Sequence, residues 1–386
     1  MLASLRRGIL SLGRRRIHLY MMIVVPLAGA FFFLSLMHEG LPSRIPVGIV
    51  DLDNSTMSRE ITRALDSEML IDITESYESY ADAMKSIRSG HTYGFFYIPR
   101  GFQKATYSGR RPTISYITNM SVFVPGTLSY KAFTTIAVNT AGDLVTTTLD
   151  ASGLSAMLGG EGTSSLTPLR LDTHPIGNPC TNYSIYLSPS FLSGLIALLV
   201  MVVTVFTITS EIKWGTSPEW LATARGSMFR ALAGKLLPQA FVFIVMGVGI
   251  EALMFSYLNF PMHCPAWHMI LAMVLLVLSS QAFALVVVEV VPNVRLATIM
   301  VSLVGILSFS IAGFSFPVDK MYGAIGIFSY ILPIRYFFLI YIDQALNGLP
   351  LYYSRIYYIV MLGMLLLPVV GLGRLKKRCL NPVYVP

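Results

Sequence analysis

Six long apolar runs, separated by polar stretches, set the pattern of the chain: Leu19 to Met37, Ser188 to Thr209, Leu232 to Leu258, Trp267 to Val291, Leu296 to Phe316 and Ile356 to Leu372. Each approaches or exceeds the roughly 20 residues that a helix needs to cross the hydrocarbon layer, so six transmembrane helices are predicted. The first run is too long for a typical signal-peptide core and no small-residue cleavage site follows it, which makes it an uncleaved span. Ahead of it, in residues 1–18, Leu2, Leu5, Ile9 and Leu12 recur at helical spacing among Arg6, Arg7, Arg14, Arg15 and Arg16. That pattern predicts an amphipathic helix lying at the cytoplasmic face of the membrane.

Between the first two runs, residues 38–187 change character. Short β-rich runs at Val47 to Val50, Leu70 to Thr74, Tyr93 to Ile98 and Thr113 to Ile117 alternate with helical patterns near Ser58 to Asp66 and Tyr80 to Arg88. A longer helical pattern follows from about Pro125 to Ala151, then a Gly- and Ser-rich loop at Leu158 to Ser165. Strand and helix in alternation imply a small α/β domain. Residues 317–350 contain a shorter aromatic segment, Ile325 to Leu346, broken by Pro333 and carrying Arg335 and Asp343. Its interruption predicts re-entrant or interfacial helices packed against protein. The expected fold is therefore an α-helical polytopic membrane protein with an inserted extracytoplasmic α/β domain.

Composition and charge sharpen this. Only 12% of residues are charged and 54% are hydrophobic, against about 25% charged in an ordinary soluble domain. The net charge of +8 does not mark a nucleic-acid binder. Residues 38–187 hold 11 Lys+Arg against 14 Asp+Glu, leaving 17 basic and 6 acidic residues beside the apolar runs. Six spans return both termini to one side, and fourteen Lys+Arg flank that side: five in the N-terminal segment, four between Ser210 and Lys235, Arg295, and four between Arg374 and Arg378. Only Lys320, Arg335 and Arg355 flank the other. The positive-inside rule then predicts cytoplasmic termini, a cytoplasmic loop at 210–231 and a cytoplasmic tail at 373–386, and it puts residues 38–187 outside.

After the second run, Ser217, Pro218 and Gly226 are suited to an N-cap, a first helical position and a helix end, so a short cytoplasmic helix is predicted, with Trp220, Leu221 and Ala224 on one face. By itself this reads equally as an interfacial helix anchored by tryptophans. The surrounding residues Glu211, Gly215, Thr216, Glu219 and Leu221, followed by Gly234, Lys235, Leu236, Leu237 and Pro238, resemble the ABC-2 family of exporter permeases. The likeness is to the subgroup with a large extracytoplasmic domain between its first two spans. Gly313, Phe314, Pro317, Met321, Pro333, Tyr336 and Phe337 carry a second resemblance after the fifth span. Ser210 stands where an Arg is common in that family, and Lys213 where a Glu is common.

The resemblance implies a permease subunit of an ATP-binding-cassette exporter, moving drug-like, lipid or other amphiphilic substrates. It assigns Glu211, Gly215, Thr216, Pro218, Glu219, Trp220 and Leu221 to coupling with a separate cytoplasmic ATPase. ATP and Mg would be bound by that partner, because the chain has no phosphate-binding loop: Gly234 and Lys235 are followed by Leu236. It also implies a second permease copy or paralogue, a periplasmic adaptor and surrounding membrane lipid as partners. The competing reading is an envelope receptor or scaffold that the helices merely anchor; a polytopic lipid-modifying enzyme would need convergent polar residues near one membrane face, and only isolated ones occur.

Other candidates are few. Asp51, Asp53, Asn54 and Ser55 read as a strand end and helix cap, since Thr56 stands where a calcium loop requires Gly. His263, Cys264 and His268 lack a clear fourth partner for a metal, and a disulfide between Cys180 and Cys264 is allowed on the outer side. Glu251 and Glu289 lie within apolar runs, where carboxylates are costly enough to be functional suspects. Arg295 is the expected partner of Glu289, while Glu251 is open to two readings, a polar pathway or dimer contact and a side chain that snorkels to the interface. HExxH, GxSxG and CxxC motifs are absent, and no catalytic residue, cofactor or metal is expected in this chain.

Overall fold

A computed structural model describes residues 2–14, 16–38, 40, 43–108, 112–119, 124–136, 178 and 182–382. The chain divides into two compact units, Leu41–His174 and the remainder.

The smaller unit is built on a four-stranded sheet of β1 (Ile45–Asp51), β2 (Ile71–Ser76), β3 (Gly94–Ile98) and β4 (Ser115–Thr118) in the order β2-β1-β3-β4. β1 runs parallel to both neighbours, and β4 is antiparallel to β3. α3 (Thr56–Asp66) connects β1 to β2, and α4 (Tyr80–Ser89) carries the chain from β2 across β1 to β3. Alternation decides which face each residue joins. Ile45, Val47, Ile49, Phe96 and Ile98 meet Met57, Ile61 and Leu65 of α3 and Ala132 and Ile136 of a helix at 124–136, here α6. On the opposite face, Val50 and Phe95 meet Ala83 and Ile87 of α4. Both sheet faces are thus covered, as a parallel core requires. The four strands and two helices read from the sequence occur within a few residues of their expected places. Residues 137–151, Leu158 to Ser165 and Cys180 lie outside the described residues.

An additional helix, α5 (Phe102–Tyr107), begins at a left-handed Gly101. Its first amides donate to Asp53: Phe102 N to Oδ1 and Gln103 N to Oδ2, both at 3.0 Å. Asp51 accepts from the amides of Asp53 and Asn54 and from the Ser58 hydroxyl. The acidic loop is therefore a set of caps, with its lone pairs committed to backbone and hydroxyl donors. The Ser55 hydroxyl beside Asp53, helped by those amides, holds its carboxyl below the usual range against a smaller opposing effect of burial.

The larger unit contains α1 (Leu2–Arg14) and six helices long and apolar enough to cross a membrane: α2 (Arg16–Leu36), α7 (Tyr183–Lys213), α9 (Met228–Tyr257), α10 (Ala266–Val290), α11 (Val294–Ile311) and α14 (Leu351–Val370). Between α7 and α9 lies α8 (Ser217–Thr223), and α15 (Leu372–Leu380) follows α14. The pair α12 (Gly323–Ser329) and α13 (Pro333–Leu346) is bent by 76°. Several helices outrun the apolar stretches that announce them. α7 starts at Tyr183 and ends at Lys213 because Ser184, Ser188 and Ser210 are buried in the bundle along with its aliphatic residues.

α7 is the centre. Its most apolar stretch is 72% buried, against 17% for that of α2 and 22% for those of α11 and α14. Without a hydrophobic drive between helices in lipid, close packing on small residues is what holds such bundles. Here Gly194 takes the ring of Phe309, Gly305 takes Leu198, and Gly29 takes Leu195, so that α11 and α2 both lie tightly on α7.

Candidate functional site

At the end of the bundle that carries the chain termini, α1, α8 and α15 gather around the last turn of α7 and the first turns of α9. Trp220, Leu221 and Ala224 point into this cluster with Ile212, Met228, Leu232, Leu375 and Cys379. The Ser217 hydroxyl donates to the Cys379 carbonyl at 2.8 Å, fastening α8 to α15. Burial pushes the Cys379 thiol up to about 11, with Glu211 adding to the effect and Lys235 opposing it.

The polar centre of the cluster is Glu211. Its carboxylate accepts from the Lys235 ammonium and the Thr216 hydroxyl, and it pairs with Arg7 of α1 at 3.4 Å. Lys235 in turn lies 5.0 Å from the ring centre of Trp220. One carboxylate therefore ties together α1, α7, the α7–α8 turn and α9. A buried cation so placed is neutralised by Glu211 and attracted by the indole face. α1 is seated by small residues: a Cβ on Gly8 would strike the Gly234 carbonyl, and one on Gly234 would strike Ser4.

The residues singled out for coupling thus divide into three sets. Glu211, Thr216, Trp220 and Leu221 hold the cluster together from within, Trp220 being only 1% exposed. Gly215 supplies the turn with a φ of 66°, a region favourable to glycine. Pro218 fills the first turn of α8. Glu219 is exposed, and so are Lys213, Trp214, Ala222 and Arg225. Trp214, 65% exposed with the Lys213 ammonium 5.6 Å from its ring, is the residue that pattern reading passed over. Its signal was an aromatic in a charged turn, which the sequence could not separate from Trp220.

The second motif lies at the other end of the bundle. Gly313, at a φ of 109°, reverses the chain after α11 and leaves room for Arg335, whose Nη1 donates to the Ala312 carbonyl at 3.3 Å. Phe314 is buried against Phe191 and Phe338, and its carbonyl accepts from the Tyr186 hydroxyl at 2.7 Å. Pro317 and Met321 bracket a 3₁₀ turn, Val318–Lys320. Pro333 opens α13, Phe337 is buried, and the Tyr336 hydroxyl donates to the Tyr330 carbonyl across the bend.

Of the two intramembrane carboxylates, Glu289 departs from expectation. No ion pair joins Glu289 to Arg295: Arg295 is exposed at the start of α11, whereas Glu289 turns to Gly371, where a Cβ would meet its carboxylate, and feels the charge of Arg374. Sequence proximity misled here because the two residues belong to successive helices with different faces. Glu251 is 4% exposed and, among the described residues, neither of its oxygens has a hydrogen-bond partner, so it does not snorkel. Cys264 is buried, its thiol raised chiefly by that burial. Among the described residues no three His, Cys, Asp or Glu side chains come together to hold a metal ion.

No curated protein matches the chain. A family model described as ABC-2 family transporter protein matches residues 17–373. The match takes in the six apolar helices, the inserted α/β unit, and Glu211, Lys235 and α8 of the cluster, which makes the chain a member of the ABC-2 family of transporter proteins.

Proposed function

We propose that this chain is the membrane-spanning subunit of an ATP-driven exporter, and that a separate ATPase, carrying ATP and Mg, docks on α8. The observation that carries this reading is the two-sided character of α8. Trp220 and Leu221 are anchored inside the bundle, while Glu219 and the neighbouring Trp214 face outward. A push on the outer face would pass through Trp220, Lys235 and Glu211 to α7 and α9, a rigid-body transmission suited to a closing nucleotide-bound dimer.

In this reading the arginine- and lysine-rich end is cytoplasmic, following the positive-inside rule, the protein resides in a bacterial inner membrane, and the α/β unit meets a periplasmic adaptor. The thinly covered faces of α2 and α11 suit a second copy or a similar permease. Substrates would be amphiphiles, drug-like molecules or lipids, passing between the two permeases.

The test is purification from the native membrane of wild type and a Trp214→Ala/Glu219→Lys variant. An ATPase retained by wild type and lost about tenfold or more from the variant, at equal thermal stability, supports the proposal. Equal retention overturns the docking face. A wild type with no nucleotide-hydrolysing companion favours the anchored receptor or scaffold instead.

A further inference from the structure

Two apolar grooves flank the first half of α9. One, of about 780 Å³, lies beneath α1 and is walled by Leu5, Ile9, Leu12 and Phe241. The other, of about 170 Å³, lies towards α10 and α14 and is walled by Phe229, Leu285 and Val369. Leu237 and Leu278 belong to the walls of both, so the grooves meet at a common ridge. Above that ridge, towards the terminus-bearing end, α9 presents exposed Arg230, two turns before Leu237 on the same helical face. Arg374, also exposed, stands two residues beyond Leu372, which lines the second groove. Arg6 and Arg16 are exposed on the α1 side.

We infer that this face is a specific site for one anionic diacyl phospholipid, its two acyl chains lying in the paired grooves and its phosphate held by Arg230 and Arg374. The argument is one of complementarity. Two largely apolar grooves that share a ridge match two hydrocarbon tails springing from one headgroup. The cationic rim matches a negative charge at the depth where the apolar walls end. A zwitterionic lipid would fill the same grooves and offer the same phosphate, but its ammonium is repelled by the basic rim and cancels the gain, whereas each basic residue near an anionic lipid surface contributes a net attraction of its own. The inference rests on the proposed orientation only for the leaflet, which would be the cytoplasmic one; the binding itself does not depend on an ATPase.

The full chain, purified in a neutral detergent, is titrated with dioleoyl phosphatidylglycerol and, separately, dioleoyl phosphatidylcholine, and bound lipid is counted by native mass spectrometry. One phosphatidylglycerol should bind about tenfold or more tightly than phosphatidylcholine. Arg230→Gln/Arg374→Gln should weaken it on the order of 30-fold and abolish the preference, at about the per-residue attraction expected of two basic groups. Arg230→Lys/Arg374→Lys should keep the preference, and Leu237→Trp, at a half-exposed position, should exclude both lipids. Equal binding of the two lipids by wild type, or a preference that survives the double glutamine variant, overturns the inference. A Glu219→Cys label reached only from outside would contradict the orientation and leave the lipid result to stand by itself.

Discussion

Lys235 of α9 lies 5.0 Å from the ring centre of Trp220 of α8 while its ammonium donates to Glu211 of α7. That relationship makes the short helix a part of the bundle and not an appendage to it. Lys235→Met should therefore leave Glu211 with Arg7 and Thr216 as its remaining partners. The cost should be about 2 kcal/mol, below that of a fully orphaned buried charge because two partners stay. The midpoint of thermal unfolding in detergent measures it, and Glu211→Gln/Lys235→Met should recover part of the loss.

The two tryptophans of this region should behave oppositely. Trp220→Ala removes a fully buried side chain and should cost about 3–5 kcal/mol, lowering expression and thermal stability together. Trp214→Ala alters an exposed ring and should leave stability within about 0.5 kcal/mol of wild type. Circular dichroism melts of the two purified variants would show the split.

Seating of the N-terminal helix depends on Gly8. Valine there would drive its Cβ into the Gly234 carbonyl and crowd Lys235 Cα, 3.2 Å away. Overpacking of this kind costs about 1–3 kcal/mol, which α1 can relieve by lifting from α9. Limited proteolysis of Gly8→Val should release an N-terminal fragment much earlier than in wild type, with the six spans intact.

In the α/β unit, the cap that Asp53 places on α5 carries a pH dependence. Its folded carboxyl titrates below the usual value, so the stabilisation is fully present above the unfolded value of about 3.9 and disappears as pH falls through the folded one. Amide exchange at Phe102 and Gln103, corrected for the intrinsic rate, should accelerate below about pH 4. Asp53→Ala should show the fast exchange at neutral pH as well, corresponding to about 1 kcal/mol for a lost cap.

How much of this was legible in the sequence follows from the range of the forces involved. Apolar length announced the six spans, and short β-rich runs announced β1 and β3, because each pattern is read within one element. The ends of α7 were missed because buried serines there look polar in isolation. α5 was missed because its cap arrives from Asp53, 49 residues earlier in the chain. The site motif was visible as a cluster of residue types around Pro218, but the division of labour within it was not. Arg7 reaches Glu211 across 204 residues, and that contact, with Lys235 and the burial of Trp220, shows Glu211 and Trp220 to be internal and leaves Trp214 and Glu219 exposed. Glu289 and Arg295 fail in the opposite sense, near in sequence and turned to different neighbours.

Photo-cross-linking in intact cells reaches the central proposal most directly. Benzoylphenylalanine placed at Glu219, which is exposed on α8, should capture a nucleotide-hydrolysing protein, with a yield that changes when ATP is depleted; the same group at Phe241, exposed on the apolar flank of α9, should not. Capture of no such protein from position 219, or equal capture from both positions, would contradict an ATPase seated on the outer face of α8.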